Sequence, residues 1–209
     1  MIRIPDNELL IIGITGEAGG GKSVALSYLQ EHYPCEVLMA DTIGNEVKEP
    51  GARCYEAVIN LLGNEILLPD GSMNRALIAE KIFADKTLVD AMNEIIHPAV
   101  HDVIFERIDA FRRDNTIKFV FLEAALLIEA GYVDELDELW YICSDALQRK
   151  NRLQTIRGYS EKRIEGIAER QLDKDTFMKY ADRVLMNNTT KEELYRQIDA
   201  IMGEYQWEK

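Results

Sequence analysis

Gly16-Glu17-Ala18-Gly19-Gly20-Gly21-Lys22-Ser23 fits the pattern Gly-x-x-x-x-Gly-Lys-Ser/Thr. Its residue types suit phosphate. Glycines let the backbone curl until successive N–H groups point at phosphate oxygens. A helix that opens there adds the positive end of its dipole. Lys22 supplies a cation for the β- and γ-phosphates, and the Ser23 hydroxyl supplies a ligand for Mg²⁺. The loop therefore predicts binding of ATP with Mg²⁺ through Gly16, Glu17, Ala18, Gly19, Gly20, Gly21, Lys22 and Ser23, with Lys22 a solvated site group. A glycine-rich turn without a ligand is the alternative, and the flanking elements decide against it.

Two acids could act on a phosphate held in this loop. Asp41 follows the run Val37-Leu38-Met39, and Glu123 follows Phe119-Val120-Phe121-Leu122. In open parallel sheets ligands bind beyond the carboxyl ends of the strands, where both acids fall. A carboxylate there serves as base for an attacking hydroxyl or holds the metal through water. Either role is open to Asp41, on a strand expected to neighbour the phosphate-loop strand. Glu123 is read with Ser23 as a metal-holding group. Glu129 either positions a neighbouring loop or is a plain surface acid.

Cations cluster later in the chain. Arg149 and Arg152 are three apart and share a helix face, and Arg157 sits at the expected helix end beside Gly158. Arginine forks onto phosphate oxygens and stabilises transition-state charge, so Arg152 and Arg157 are read as lid arginines that act in catalysis with Lys22. A mobile lid over 149–171 would exclude water before transfer. His97 and His101 are four apart, but Pro98 stands where a metalloprotease pattern needs Glu, so they are read as ordinary histidines.

The elements that must position these groups follow from pattern. Leu9–Thr15 is continuously apolar, as a strand buried on both faces requires. A helix follows it to His32, Pro34 ends that helix, and Cys35–Met39 is a second short strand, giving a parallel strand–helix–strand unit. Asp41–Phe111 reads as helical, punctuated by Pro50-Gly51 and Pro69-Asp70-Gly71. Asn74 suits an N-cap, and Pro98 suits the first turn of a helix running through Phe111. Phe119–Leu122 and Leu139–Cys143 read as strands. Ser144–Arg157 reads as a helix stopped by Gly158, and Ser160 caps another through Gln171. Arg183–Met186 is a last strand, and Thr190–Met202 a closing amphipathic helix. These predict an α/β chain with the three-layer α/β/α P-loop NTPase fold and a parallel sheet of about five strands. The expectation is one domain over residues 1–209: a core over about 1–43, 117–147 and 181–209, an inserted helical substrate subdomain over about 44–116, and a lid over about 148–180.

Composition narrows the function classes. Lys and Arg total 24 against 37 Asp and Glu, a net charge of −13. That opposes binding of duplex DNA, which needs a basic footprint, yet leaves room for a local basic cleft. Three cysteines without a Cys-x-x-Cys suit a reducing compartment. The first residues lack a signal-peptide pattern, and the run Leu9–Gly16 is too short to span a bilayer. The expectation is a cytoplasmic protein with a small-molecule substrate and neither a nucleic-acid nor a membrane partner.

Together these motifs resemble the dephospho-coenzyme A kinase family. The loop lies close to the N-terminus as in that family. Ala40-Asp41, Glu46-Val47-Lys48-Glu49-Pro50-Gly51, Asp70-Gly71-Ser72, Ile96-His97-Pro98, Leu126-Leu127-Ile128-Glu129, Arg152, Gln171, Ala181-Asp182 and Asn187-Asn188 match its landmarks. The resemblance implies transfer of the ATP γ-phosphate to the ribose 3′-hydroxyl of dephospho-CoA. It implies Asp41 as base, Lys22 and Ser23 on phosphate and Mg²⁺, Arg152 in the lid, and Asn187 and Asn188 near the adenine. The chain departs from the family's habits at four places. Met39 replaces the first acid of an Asp-Ala-Asp, Ala125 replaces a proline, and Glu17 and Ala18 stand where Gly and Ile are usual. Arg152 and Arg157 are five apart rather than four. Other readings are a related nucleoside or nucleotide kinase, a nucleotide-binding protein of reduced activity, and a GTPase switch. The switch fits Asp41-Thr42-Ile43-Gly44 but lacks an Asn-Lys-x-Asp guanine motif.

Overall fold

The computed structural model describes residues 2–5, 8–114, 116–124, 126–169 and 171–207. Ala125, the proline replacement noted above, lies outside them. In chain order the elements are β1 (Ile2–Ile4), β2 (Leu10–Thr15), α1 (Lys22–His32), β3 (Cys35–Met39) and α2 (Ala40–Glu46). Then come α3 (Tyr55–Leu62), α4 (Arg75–Ala84), α5 (Thr87–Phe111), β4 (Phe119–Glu123) and β5 (Glu138–Cys143). The chain closes with α6 (Ala146–Thr155), α7 (Glu161–Ala168), α8 (Lys174–Tyr180), β6 (Arg183–Met186), α9 (Lys191–Met202) and β7 (Tyr205–Trp207). They form two compact units: Met1–Leu38 with Phe111–Lys209, and Met39–Ala110.

The first unit holds a five-stranded sheet in the order β3-β4-β2-β5-β6. β2 pairs parallel with β4 and with β5, and β5 pairs parallel with β6. Strand burial explains the order. β2 and β4 are apolar almost throughout and occupy the interior, whereas β3 carries Glu36 and buries only Leu38, as an edge strand does. The expectation that β3 neighbours the phosphate-loop strand is therefore corrected, because β4 lies between them.

Helices cover both faces of this sheet. Ala25, Leu26 and Leu29 of α1, with Leu194, Ile198 and Met202 of α9, pack on Ile12, Ile14, Phe121, Trp140 and Ile142. On the other face Phe177 of α8 packs on Tyr141 and Cys143, its ring 5.0 Å from that of Tyr141. Alternate residues of β5 thus point to opposite layers, the period-two rule of a strand. Three elements were not expected. β1 and β7 pair parallel as a separate two-stranded sheet, with Ile2 opposite Tyr205. The helix expected through Gln171 ends at Ala168, and α8 follows, capped by Asp173 on the Thr176 N–H.

The second unit is helical. Asn74 caps α4 by accepting from the Ala76 and Leu77 N–H groups, as expected. Pro98, expected in a first turn, lies inside the 25-residue α5. It removes one helix hydrogen bond, and the helix continues because Met92, Val100, Ile104 and Ile108 bury one stripe on both sides of it. Among the described residues no helix is long and apolar enough to cross a membrane.

Candidate active site

The phosphate loop leaves the carboxyl end of β2, the central strand, and enters α1. Its backbone is one that only glycine tolerates. Gly16 has φ +140, and a Cβ there would stand 2.2 Å from the Ile142 carbonyl oxygen of β5. Gly21 has φ +113, and a Cβ there would stand 2.0 Å from the Asn187 amide nitrogen. The loop closes on itself where the Gly20 N–H donates to the Glu17 carbonyl at 3.0 Å.

Lys22 is not the solvated group expected. Its side chain is 15% exposed; it donates to the Gly16 carbonyl at 2.7 Å and stands 3.7 Å from a Glu123 carboxylate oxygen. Burial holds its ammonium below the ordinary lysine range, Glu123 opposes that shift, and the charge of Arg157 adds to it. Glu123 ends β4 in register with Ile14 of β2, so sheet pairing alone brings it to Lys22. Ser23 is exposed in the first turn of α1.

The later predicted residues form a clasp on the loop. Arg152 donates to the Gly19 carbonyl at 3.3 Å, to the Ser144 hydroxyl at 3.1 Å and to the Asn187 carbonyl at 2.8 Å. Asn187 is buried, and its amide donates to the Gly20 carbonyl at 2.8 Å. Asn188 accepts from the Asp145 N–H at 2.7 Å. Arg157 is exposed, and its charge reaches Lys22. Glu17 turns inward instead of toward solvent: it accepts from the Tyr141 hydroxyl at 2.7 Å and lies 3.3 Å from Arg149. The Ala18 N–H is taken by the Gln171 side chain at 3.0 Å.

Ser144 and Tyr141 were missed from the sequence. Ser144 donates to the Asn187 carbonyl at 2.6 Å and so joins the end of β5 to the end of β6. The strand-end rule that singled out Asp41 and Glu123 applies equally to Ser144, which directly follows β5. Tyr141 offered no such signal, being one apolar residue of a buried strand.

Asp41 belongs to the unit Met39–Ala110, exposed in the first turn of α2, with Met39 exposed just before it. In that unit Asp41 acts electrostatically on Lys48, whose ammonium burial lowers, with Arg75 adding to that shift and Cys54 and Asp41 opposing it. Lys48 and Arg75 border a cavity of about 640 Å³ with Asn45, Met73, Ile78 and Met92. His97 is exposed and His101 half-buried, and no group of three metal-ligating side chains occurs among the described residues.

Comparison with known proteins places this arrangement. Among solved structures, the crystal structure of TT1252 from Thermus thermophilus superposes with a TM-score of 0.80 at 26% identity, covering 94% of this chain and 98% of that one. A dephospho-CoA kinase from Campylobacter jejuni gives 0.71 at 19% identity over 97% of each chain. A shikimate kinase from Acinetobacter baumannii shares the fold at 0.58 and 14% identity over 95% of each chain. A dephospho-CoA kinase of Geobacter sulfurreducens is 34% identical over 191 residues, 91% of this chain and 96% of its own length. That of Dehalococcoides mccartyi is 33% identical over 185 residues, 88% of this chain and 91% of its own. The sequence profile of dephospho-CoA kinases matches residues 10–193, so the chain belongs to the dephospho-CoA kinase family.

Proposed function

We propose that this chain transfers the γ-phosphate of ATP to the ribose 3′-hydroxyl of dephospho-CoA, giving coenzyme A. Family membership supports the reaction class and the acceptor. The observation that carries the ATP half is the loop at the end of the central strand, with Lys22 withdrawn from water beneath it. A lysine whose charge is disfavoured by burial gains most from a phosphate oxygen as partner.

The residues also fit a divalent cation. The Ser23 hydroxyl and the Glu123 carboxylate are hard oxygen donors, the kind that Mg²⁺ takes. Bound MgATP would supply the transferable phosphoryl group and the cation that spreads its charge. The chain's part is then to hold and orient. Loop N–H groups and Lys22 grip the phosphates. Arg152 and Arg157 stabilise charge on the phosphoryl group in flight, and the segment 148–180 excludes water as a lid. Asn187 and Asn188 border the adenine. Asp41 orients the acceptor hydroxyl and takes its proton, a contribution of about 10²–10⁴ in rate. The helical insert receives the acceptor, its cavity offering Lys48 and Arg75 to the anionic part and Met73, Ile78 and Met92 to the apolar part.

The test is a turnover assay with ATP and Mg²⁺ against dephospho-CoA and a panel of nucleosides and nucleotides. Dephospho-CoA is expected to give the highest kcat/KM, with phosphate appearing on the 3′-oxygen. A faster acceptor within the panel would overturn the assignment.

A further inference from the structure

Glu17 is the one acid within the Gly16–Ser23 loop. A carboxylate there opposes a polyanion in the same loop unless a cation cancels it. Glu17 is also 8% exposed, so water does little to screen it. Two groups face it closely. The Tyr141 hydroxyl donates to one carboxylate oxygen at 2.7 Å, and the Arg149 guanidinium stands 3.3 Å from the other. Arg149 is itself held in place because it donates to the Ser144 carbonyl.

We propose that Arg149 is the built-in counter-ion of Glu17, a positioning residue that cancels the carboxylate inside the phosphate loop and thereby sets the loop's affinity for ATP without touching the nucleotide. The inference rests on the reading that this loop takes the ATP phosphates. Its geometry extends along the loop. Glu17 is held by Arg149, the Ala18 N–H by Gln171 and the Gly19 carbonyl by Arg152, so three successive loop residues are each gripped by a side chain from residues 149–171. Glu17 and Arg149 also act as a unit in charge. Removing both leaves the charge of this pair at zero, removing Arg149 leaves it at minus one, and removing the Glu17 charge leaves it at plus one.

The experiment measures ATP affinity by calorimetry at one fixed ionic strength, with Mg²⁺, on the full chain and three variants. Arg149→Met is expected to weaken ATP about tenfold, since an uncancelled charge is felt strongly where water is excluded. Glu17→Gln, whose amide oxygen still accepts from Tyr141, is expected to tighten it severalfold. The double variant is expected to return to within threefold of the unchanged protein. In turnover, KM for ATP is expected to move in the same order. A merely structural pair would also be rescued by removing the second partner, but it would not make Glu17→Gln bind ATP more tightly than the unchanged protein, so that tightening is the distinguishing readout.

A double variant as weak as Arg149→Met would overturn the proposal, because Arg149 would then be acting on the nucleotide or on the fold. Weaker ATP binding by Glu17→Gln would also overturn it. Arg149→Met leaves a buried charge unpaired and can fail to fold. In that event Glu17→Gln and the double variant, neither of which buries an unpaired carboxylate, decide the matter by the same comparison with the unchanged protein. Absence of ATP binding in the unchanged protein would instead overturn the reading of the loop itself.

Discussion

Gly16→Ala puts the phosphate loop to a stringent test. The residue continues the β2–β5 ladder past the pair Thr15–Tyr141, which is why it lies beside Ile142. An alanine there meets two separate penalties. The first is conformational: φ +140 is a region that L side chains rarely adopt, at a cost of about 1–3 kcal/mol. The second is steric. Its Cβ would sit 2.2 Å from the Ile142 carbonyl oxygen, whereas a relaxed carbon–oxygen contact needs about 3.3 Å. Ile142 cannot retreat, because β5 is paired on both sides and Ile142 is fully buried in the core. The loop must therefore move by about 1 Å, and forcing extra volume into a packed site costs a further 1–3 kcal/mol or so. The expected loss of stability is about 2–6 kcal/mol by urea denaturation. A 1 Å displacement of positioning groups also costs about 10²-fold in turnover. Gly131→Ala is the control. It shares a positive φ of +77, but nothing lies within 4 Å of its Cβ, so only the conformational penalty applies. If Gly16→Ala loses no more stability than Gly131→Ala and keeps its ADP affinity, the steric argument is wrong and the loop is not rigid against β5.

Two further outcomes test the chemistry. Burial holds free Lys22 below its ordinary 10.5, and a bound phosphate oxygen raises it again, so at pH values between the two ADP binding takes up a proton and affinity falls as pH rises. Calorimetry in alkaline buffers of different ionisation enthalpy should detect this uptake and should lose it in Lys22→Met; an uptake that persists in the variant belongs to another group. Asp41→Asn should lower kcat by about 10²–10⁴ while ATP affinity stays nearly constant. Retention of more than about a tenth of the rate would remove Asp41 as the base and make Glu123 the candidate.

What was legible in the sequence was whatever local chemistry decides. The turn after β2 demands glycine at 16 and 21 because neighbouring backbone and Asn187 leave no room for a side chain, and those glycines stand in the pattern itself. The caps at Asn74 and Ser160 were equally visible, since each involves only the next three residues. The α8 helix carried a comparable signal in Asp173 followed by Thr176, in a stretch after Gln171 where no helix was expected. Pro98 went the other way: a local rule placed it at a helix start, and burial of side chains on both sides outweighed the lost hydrogen bond.

Non-local pairing was far less legible, and it governs most of the site. That β4 separates β3 from β2 depends on which strand can be buried on both faces, and only a comparison of whole strands shows that Glu36 confines β3 to an edge. The same pairing carries Glu123 to Lys22 across 101 residues of chain, a meeting that spacing alone could suggest only through the strand-end rule. Glu17 is the sharpest case. In sequence it is a loop residue beside glycines, and a charged side chain there is expected to face water. Its direction is set instead by Tyr141 on the adjacent strand and by Arg149 on a helix that begins 129 positions after it. Burying a carboxylate is costly unless it is paired and hydrogen-bonded, so the inward turn and the two partners stand or fall together. A departure from the family's usual glycine thus becomes intelligible only with its cation: the loop tolerates an acid because a later helix supplies the charge that cancels it.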